Sequence, residues 1–221
     1  MSNKKSFIMF LIAAILFITS STAKMADIHS DNEADSKIIK VSVILDTPSS
    51  SFASPEKIYK TVDSSLSKIF QNNSKYDIQS LGDTDAYVQL YREDKNRAAT
   101  VDNGIITSSG ERDLSLTRED LPELCSHFES DYMIYIRVAN STPTLTGSVF
   151  SAGQKVNVTL DFRIWSVAKN DFVYLKRYVT TGSSSSFYIG MGSSVRAINK
   201  ALKKGLSEIE KDAANILAVM P

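Results

Sequence analysis

Residues Lys155 to Val167 alternate between apolar and polar with almost no break. Val156, Val158, Leu160, Phe162, Ile164 and Val167 are apolar, and Asn157, Thr159, Asp161, Arg163 and Ser166 fall between them. A period of two over this length predicts a half-buried strand. Trp165 is off phase, which predicts the opposite face or a bulge. Lys169-Asn170-Asp171 is turn chemistry, because Asn and Asp tolerate left-handed backbone angles. Phe172 to Val179 returns as the partner strand, so the pair reads as a hairpin. From Gly182 the chain reads as a Gly/Ser-rich loop running through Ser183–Ser186 to Gly192. Ser193 or Ser194 then suits an N-cap. Val195, Ile198, Leu202, Leu206, Ile209, Ala213, Ile216 and Leu217 recur at steps of three and four. That stripe predicts one amphipathic helix of about seven turns, buried on the hairpin.

Upstream, Lys37 to Asp46 is near-continuously apolar from Val41, as a central strand covered on both faces would be. Ser54-Pro55 opens a helix with the stripe Ile58, Val62, Leu66, Ile69 and Phe70, stopped by Asn72-Asn73. Tyr76 to Leu81 reads as a short strand. Ala86, Tyr87, Leu90 and Tyr91 have helical spacing. Glu93 to Ser115 reads as a polar loop, with room for a short strand at 104–107. Thr117 to Phe128 reads as a helix, with Asp120 and Glu123 as a capping pair and Leu121, Leu124, Cys125 and Phe128 buried. Asp131 to Val138 is a strand, and Asn140 to Gly153 a second Ser/Thr/Gly loop. The expected fold is α/β (α+β): a single mixed sheet of about five strands with amphipathic helices packed on it, in the order β-α-β-α-(α)-β-β-β-α.

The start of the chain changes the picture. Lys4 and Lys5 precede an apolar run from Phe7 to Ile18, too short to span a bilayer comfortably, and Ser21-Thr22-Ala23 offers small residues for cleavage. Residues 1–23 therefore read as a secretory signal peptide, 24–36 as a polar, acidic tether, and 37–221 as a single domain. No Cys follows the apolar run, which argues against a lipid anchor. The full chain has 25 basic and 25 acidic residues; removing Lys4 and Lys5 leaves 25 − 2 = 23 basic ones and a net charge of −2. That balance argues against a nucleic-acid binder. The expected address is the periplasm or the exterior.

Chemistry is sparse. Cys125 is the one cysteine, so no internal disulfide forms, and its apolar setting predicts a buried thiol. His29 and His127 are the only histidines. A Cys125–His127 dyad fails, because residues two apart on a helix do not face each other. No metal set, P-loop or nucleophile elbow is present. No catalytic, cofactor-binding or metal-binding residue is assigned, and no cofactor is expected. Asp161, Arg163 and Lys176 read as a solvated cross-strand charge face. Gly190, Gly192, Ser193, Ser194 and Arg196 form a weak candidate anion site at a helix start. Val149, Phe150, Phe187, Tyr188, Ile189 and Met191 put apolar side chains among Ser and Gly in two loops that flank one hairpin. They form either an exposed docking patch or a lid folded onto the core.

The stretch Leu121–Val138, LPELCSHFESDYMIYIRV, leads a helix through Ser130-Asp131-Tyr132 into a strand. A long hairpin and a terminal helix follow. This order resembles the envelope-protein group with the TolB N-terminal, CsgG or LpoB-like α/β fold, in which a GADYVLVG-type step stands where Ser130–Tyr135 stands here. The resemblance covers residues 37 to 217 in element order and transfers no functional residue. It implies a non-catalytic periplasmic module that binds other envelope proteins or assembles with itself. The alternative from the residues alone is a periplasmic protein that binds a small ligand or anion at Gly190–Arg196.

Overall fold

A computed structural model describes residues 37–47, 55–102, 116–148, 151–187 and 192–221. All the elements lie in the compact unit Ile38–Pro221. The strands are β1 Ile39–Asp46, β2 Tyr76–Ile78, β3 Tyr132–Asn140, β4 Thr144–Ser148, β5 Ser151–Ser166 and β6 Asp171–Phe187. The helices are α1 Pro55–Phe70, α2 Leu81–Asp102, α3 Leu121–His127, α4 Ser194–Lys211 and α5 Ala213–Ala218, with a 3-10 turn Arg118–Asp120 leading into α3.

All six strands form one mixed sheet. β1 runs parallel to β2 on one side and to β3 on the other. β5 is antiparallel to everything it touches: β3 and β4 share one of its sides, and β6 lines the other. β3 and β4 follow one line along β5. Between them Ser141 still exchanges hydrogen bonds with Asn157, and the register slips by one residue at Thr142-Pro143. Pro143 cannot donate to a ladder, so the break falls there.

The connections dictate what covers each face. The chain steps outward from β1 to β2 through α1, then back across β1 to β3 through α2 and α3. Crossovers of one hand in opposite directions place their helices on opposite faces. α1 joins α4 on the face built from Val41, Val43, Ile134, Ile136, Val158, Leu160, Phe162 and Ile164. α2 and α3 cover the other face, but only over Ile44, Met133, Tyr135 and Trp165. The hairpin strands need no crossover helix; among the described residues α4 is the main cover of their first face, and α2 and α3 reach only Trp165 and Phe172 at one end of the other. Ile198, Leu202, Leu206 and Ile209 are buried along α4. Each contributes about 1.5–3 kcal/mol by burial, which holds the helix down.

Several expectations need correction. The loop expected over Asn140–Gly153 holds β4 and the start of β5. The loop expected from Gly182 is strand as far as Phe187. Gly182 is the reason: a Cβ there would lie 1.8 Å from the Ala197 carbonyl oxygen, so α4 rests directly on this backbone. α2 continues through Asp102 where a polar loop was expected; 104–107 lies outside the described residues. The long terminal helix breaks at Asp212 into α4 and α5. Asp120 pairs back to Thr117 rather than on to Glu123: its carboxylate accepts from the Thr117 N–H at 2.7 Å and hydroxyl at 2.8 Å. The register shifts between Ile164 and Trp165, and Trp165 packs on the second face, as its phase predicted.

Candidate interaction surface

The antiparallel part of the sheet is where this protein exposes itself. On the face away from α4, cross-strand partners set Asp46 beside Arg137, Arg137 beside Asp161, and Asp161 beside Arg177. Acid and base therefore alternate along one row across β1, β3, β5 and β6. The row begins under α2. Arg92 donates to Asp46 Oδ1 at 3.2 Å and Tyr135 donates its hydroxyl to Oδ2 at 2.7 Å. The Arg92 and Asp46 side chains are 10% and 13% exposed. Burial, then the Asp46 carboxylate, pushes the Tyr135 hydroxyl well above the usual tyrosine range. The row ends in solvent. Arg177 grips Asp161 with two bonds of 2.5 Å and 3.0 Å, and the Arg177 side chain is 66% exposed. Those bonds hold the Asp161 carboxyl below its ordinary range, with Arg163 and Arg137 adding to the effect.

Two aliphatic side chains flank the solvent end of the row. Leu175 and Val179 lie one step either side of Arg177 on the same face of β6, and each is 63% exposed. Charge in the middle and aliphatic groups beside it leave this face mixed in polarity and open to solvent. The expected charge face is real but its membership differs. Lys176 points the other way, where it bonds Asp212 at the junction of α4 and α5. Arg177 takes its place. The strict alternation of strand side chains carried that signal: Arg177, not Lys176, shares the parity that register gives to Asp161.

On the helix side, Asp212 ties β6 to the chain terminus. Tyr178 donates to Asp212 Oδ2 at 2.5 Å beside the Lys176 ammonium. The Lys176 and Tyr178 bonds lower the Asp212 carboxyl below its ordinary range. An open groove runs along β6 here, lined by Lys176, Arg177, Tyr178 and Thr180 and walled by Glu208 and Lys211 of α4.

Of the candidate docking residues, Val149, Phe150, Tyr188, Ile189 and Met191 lie outside the described residues, and Phe187 is described by its backbone alone. Their flanks do meet. Ser151 pairs with Ser148 on one side and Phe187 on the other, so both segments leave from one end of the sheet. In the candidate anion site, Gly190 lies outside the described residues. Ser193 is the N-cap of α4, and its hydroxyl accepts from the Arg196 N–H at 3.4 Å. Gly192 is committed to packing, because a Cβ there would lie 2.1 Å from the Ser184 carbonyl oxygen. Ser194 is half-buried and Arg196 exposed.

Cys125 is 1% exposed, and burial pushes its thiol up to about 11. His127 points away from it and stacks on Tyr87 with ring centroids 3.4 Å apart. Among the described residues no three metal-ligating side chains cluster, and no helix is long and apolar enough to cross a membrane.

No family model and no curated protein sequence matches the chain. Several solved structures are similar to it at low identity. The hypothetical protein CT253 from Chlamydia trachomatis is 12% identical, with 79% of this chain and 97% of that one covered and a TM-score of 0.37. The lipoprotein GNA1162 from Neisseria meningitidis is 12% identical over 80% of this chain and 99% of that one, with a TM-score of 0.34. The LpoB C-terminal domain from Escherichia coli is 13% identical over 71% of this chain and 92% of that one, with a TM-score of 0.32. An LpoB domain and a bacterial lipoprotein thus stand among the structural neighbours, at scores too low to pass any residue role to this chain.

Proposed function

We propose that this chain is an exported, non-catalytic envelope protein that acts through protein contacts, with the open β5–β6 surface as its contact region. The observation that carries the reading is the sheet's asymmetry: Leu175, Val179 and Arg177 stand exposed on a face whose other half buries Ile44, Met133 and Tyr135. The leader-like residues 1–23 support export. The convergence of Ser148, Ser151 and Phe187 supports counting Val149, Phe150, Phe187, Tyr188, Ile189 and Met191 with the same region. A photo-crosslinking amino acid at position 175 or 179, introduced in living cells, tests this. The expected result is a shortened, exported protein with discrete protein crosslinks from 175 and 179 and none from Lys57 on α1, also exposed. Retention of the full-length chain in the cytoplasm, or equal labelling at all three positions, would sink the reading.

A further inference from the structure

β6 ends the sheet, and no strand among the described residues pairs with its outer side. In an antiparallel pair, successive residues turn their N–H and C=O groups alternately toward and away from the partner. The phase is fixed by Asn157. Its carbonyl accepts from the Ser141 N–H at 2.9 Å and its N–H donates to Ser141 Oγ at 3.0 Å. Asn157 therefore faces the β3 side and turns away from Thr181, its neighbour on β6. Thr181, Val179, Arg177 and Leu175 in turn direct their backbone groups outward. Lys204 agrees with this phase: it reaches from α4 to donate to the Thr181 carbonyl at 3.1 Å.

Folded proteins guard long edges with charge, proline, bulges or short length. β6 is 17 residues long. Its guards sit in its first half, where the register shift opposite Trp165 and the Lys176-Arg177 pair lie. From Tyr178 to Phe187 the strand has no charge and no proline, and Lys204 caps one carbonyl, which keeps a second lone pair.

We propose that a second copy of the chain adds its own β6 to this edge, antiparallel, about a two-fold axis at Val179. The proposal rests on the contact-based reading above and names its partner. Charge excludes an axis among the cations, and strand length then sets the register: Val179 is the midpoint of Asp171–Phe187, so an axis there pairs the strand along its whole length. An axis at Lys176 or Arg177 sets cation against cation, which is unfavourable directly across a ladder. An axis at Val179 sets Arg177 against Thr181, Lys176 against Gly182 and Leu175 against Ser183 of the second copy. Every cation then faces a neutral residue, and Val179 meets Val179. All four outward-facing residues also share the phase that such a ladder needs. A peptide of a single charge sign fits less well, because the groove beside the edge carries Lys176 and Lys211 together with Glu208 and Asp212.

The test is sedimentation velocity over a concentration series, on protein purified as the cell processes it, beside Val179→Pro and Val179→Lys. Proline at 179 removes an outward N–H and leaves the bonds to β5 in place. Wild type is expected to shift from one-copy to two-copy mass. Both variants are expected to self-associate at least about tenfold more weakly, with unchanged denaturant midpoints. Amide exchange at Arg177 and Val179 should slow as wild type is concentrated. If the proline variant loses its fold, the lysine variant decides. A wild type that stays a single copy at its highest soluble concentration overturns the proposal, as do variants that pair like wild type. A single-copy wild type that still crosslinks to another protein in cells overturns this proposal and leaves the contact-based reading standing; without crosslinks both fall.

Discussion

The two halves of the sheet use the same chemistry to different ends. β1 and β3 are parallel to each other and covered on both faces, so Val43, Ile44, Met133 and Ile134 are all buried whatever their parity. β5 and β6 are antiparallel, and beyond the bulge only one parity is buried: Leu160 and Phe162 are buried, whereas Leu175 and Val179 are open. The charge row crosses from one half to the other. At its covered end Arg92 and Asp46 are about nine-tenths buried; at its open end Arg177 is mostly solvated. The lesson is that crossover helices, not strand sequence, decide how much an ion pair or an aliphatic side chain contributes here.

The strongest way to break the comparison is to lift α4, the long helix on the antiparallel half. Gly182→Val inserts atoms where even a Cβ would lie 1.8 Å from the Ala197 carbonyl oxygen. Helix backbone cannot yield as a side-chain tip would, so the loss in chemical denaturation is expected to be about 3 kcal/mol. Gly82 is the control. Its nearest atom to an added Cβ is Ser80 Oγ at 3.6 Å, so Gly82→Ala is expected to be neutral or slightly stabilising.

Next come the two ends of the charge row. Arg92→Leu leaves Asp46 buried with one ion-pair partner gone, and an expected cost of about 3 kcal/mol follows. Tyr135 still donates to Asp46, which keeps the cost at the low end for a buried pair. Arg177→Leu removes a bidentate but exposed pair, and a much smaller loss than that of Arg92→Leu is expected. Urea titration of both variants checks the ratio. Equal costs would show that coverage does not set the worth of these pairs.

Acid sharpens the comparison further. Asp212 has a folded pKa below its ordinary value of 3.8, through the Lys176 and Tyr178 bonds. A depressed carboxyl contributes stability above its unfolded pKa and loses it as pH falls through the folded one. Asp212→Asn should therefore lower stability at pH 6 and flatten its decline below about pH 4. Asp161, lowered chiefly by Arg177, should behave in the same way. A pH profile of the denaturation midpoint reads both, and an unchanged acid limb in Asp212→Asn would mean the Asp212 hub is not formed.

The covered half and the hairpin core were legible in the sequence because burial printed itself as period: continuous in β1, alternating in β5, three-and-four in α4. What was missed lies where burial is absent or falls on small polar residues. β4 is exposed along Thr144–Gly147, so nothing in its side chains marks it as a strand; its pairing with β5 makes it one. The serines of β6 resemble a linker, yet Ser184 is buried because Gly182 and Gly192 let the chain close over it. Tertiary contact overrode propensity there. The charge row was half visible. Asp161 stood out by alternation, but Arg137 and Asp46 join it only through a register that a sequence cannot supply.

The smallest expected effect is the most discriminating. Leu175→Thr and Val179→Thr each remove apolar surface that is already in water, so each should change stability by less than about 0.5 kcal/mol. Thr keeps the strand preference of Val179, which removes propensity as a confounder at that position. On the covered half of the same face, Met133→Ala should cost about 2–5 kcal/mol, because Met133 is fully buried. The contrast turns on coverage alone: same sheet, same face, aliphatic side chains in both cases. Should either threonine variant lose more than about 1.5 kcal/mol, some other part of the chain must lie over Leu175 and Val179, and the open face would be an internal one. Should both be neutral, these two side chains are free to serve contacts with other molecules, and an altered association with unaltered stability becomes the signature by which their role is read.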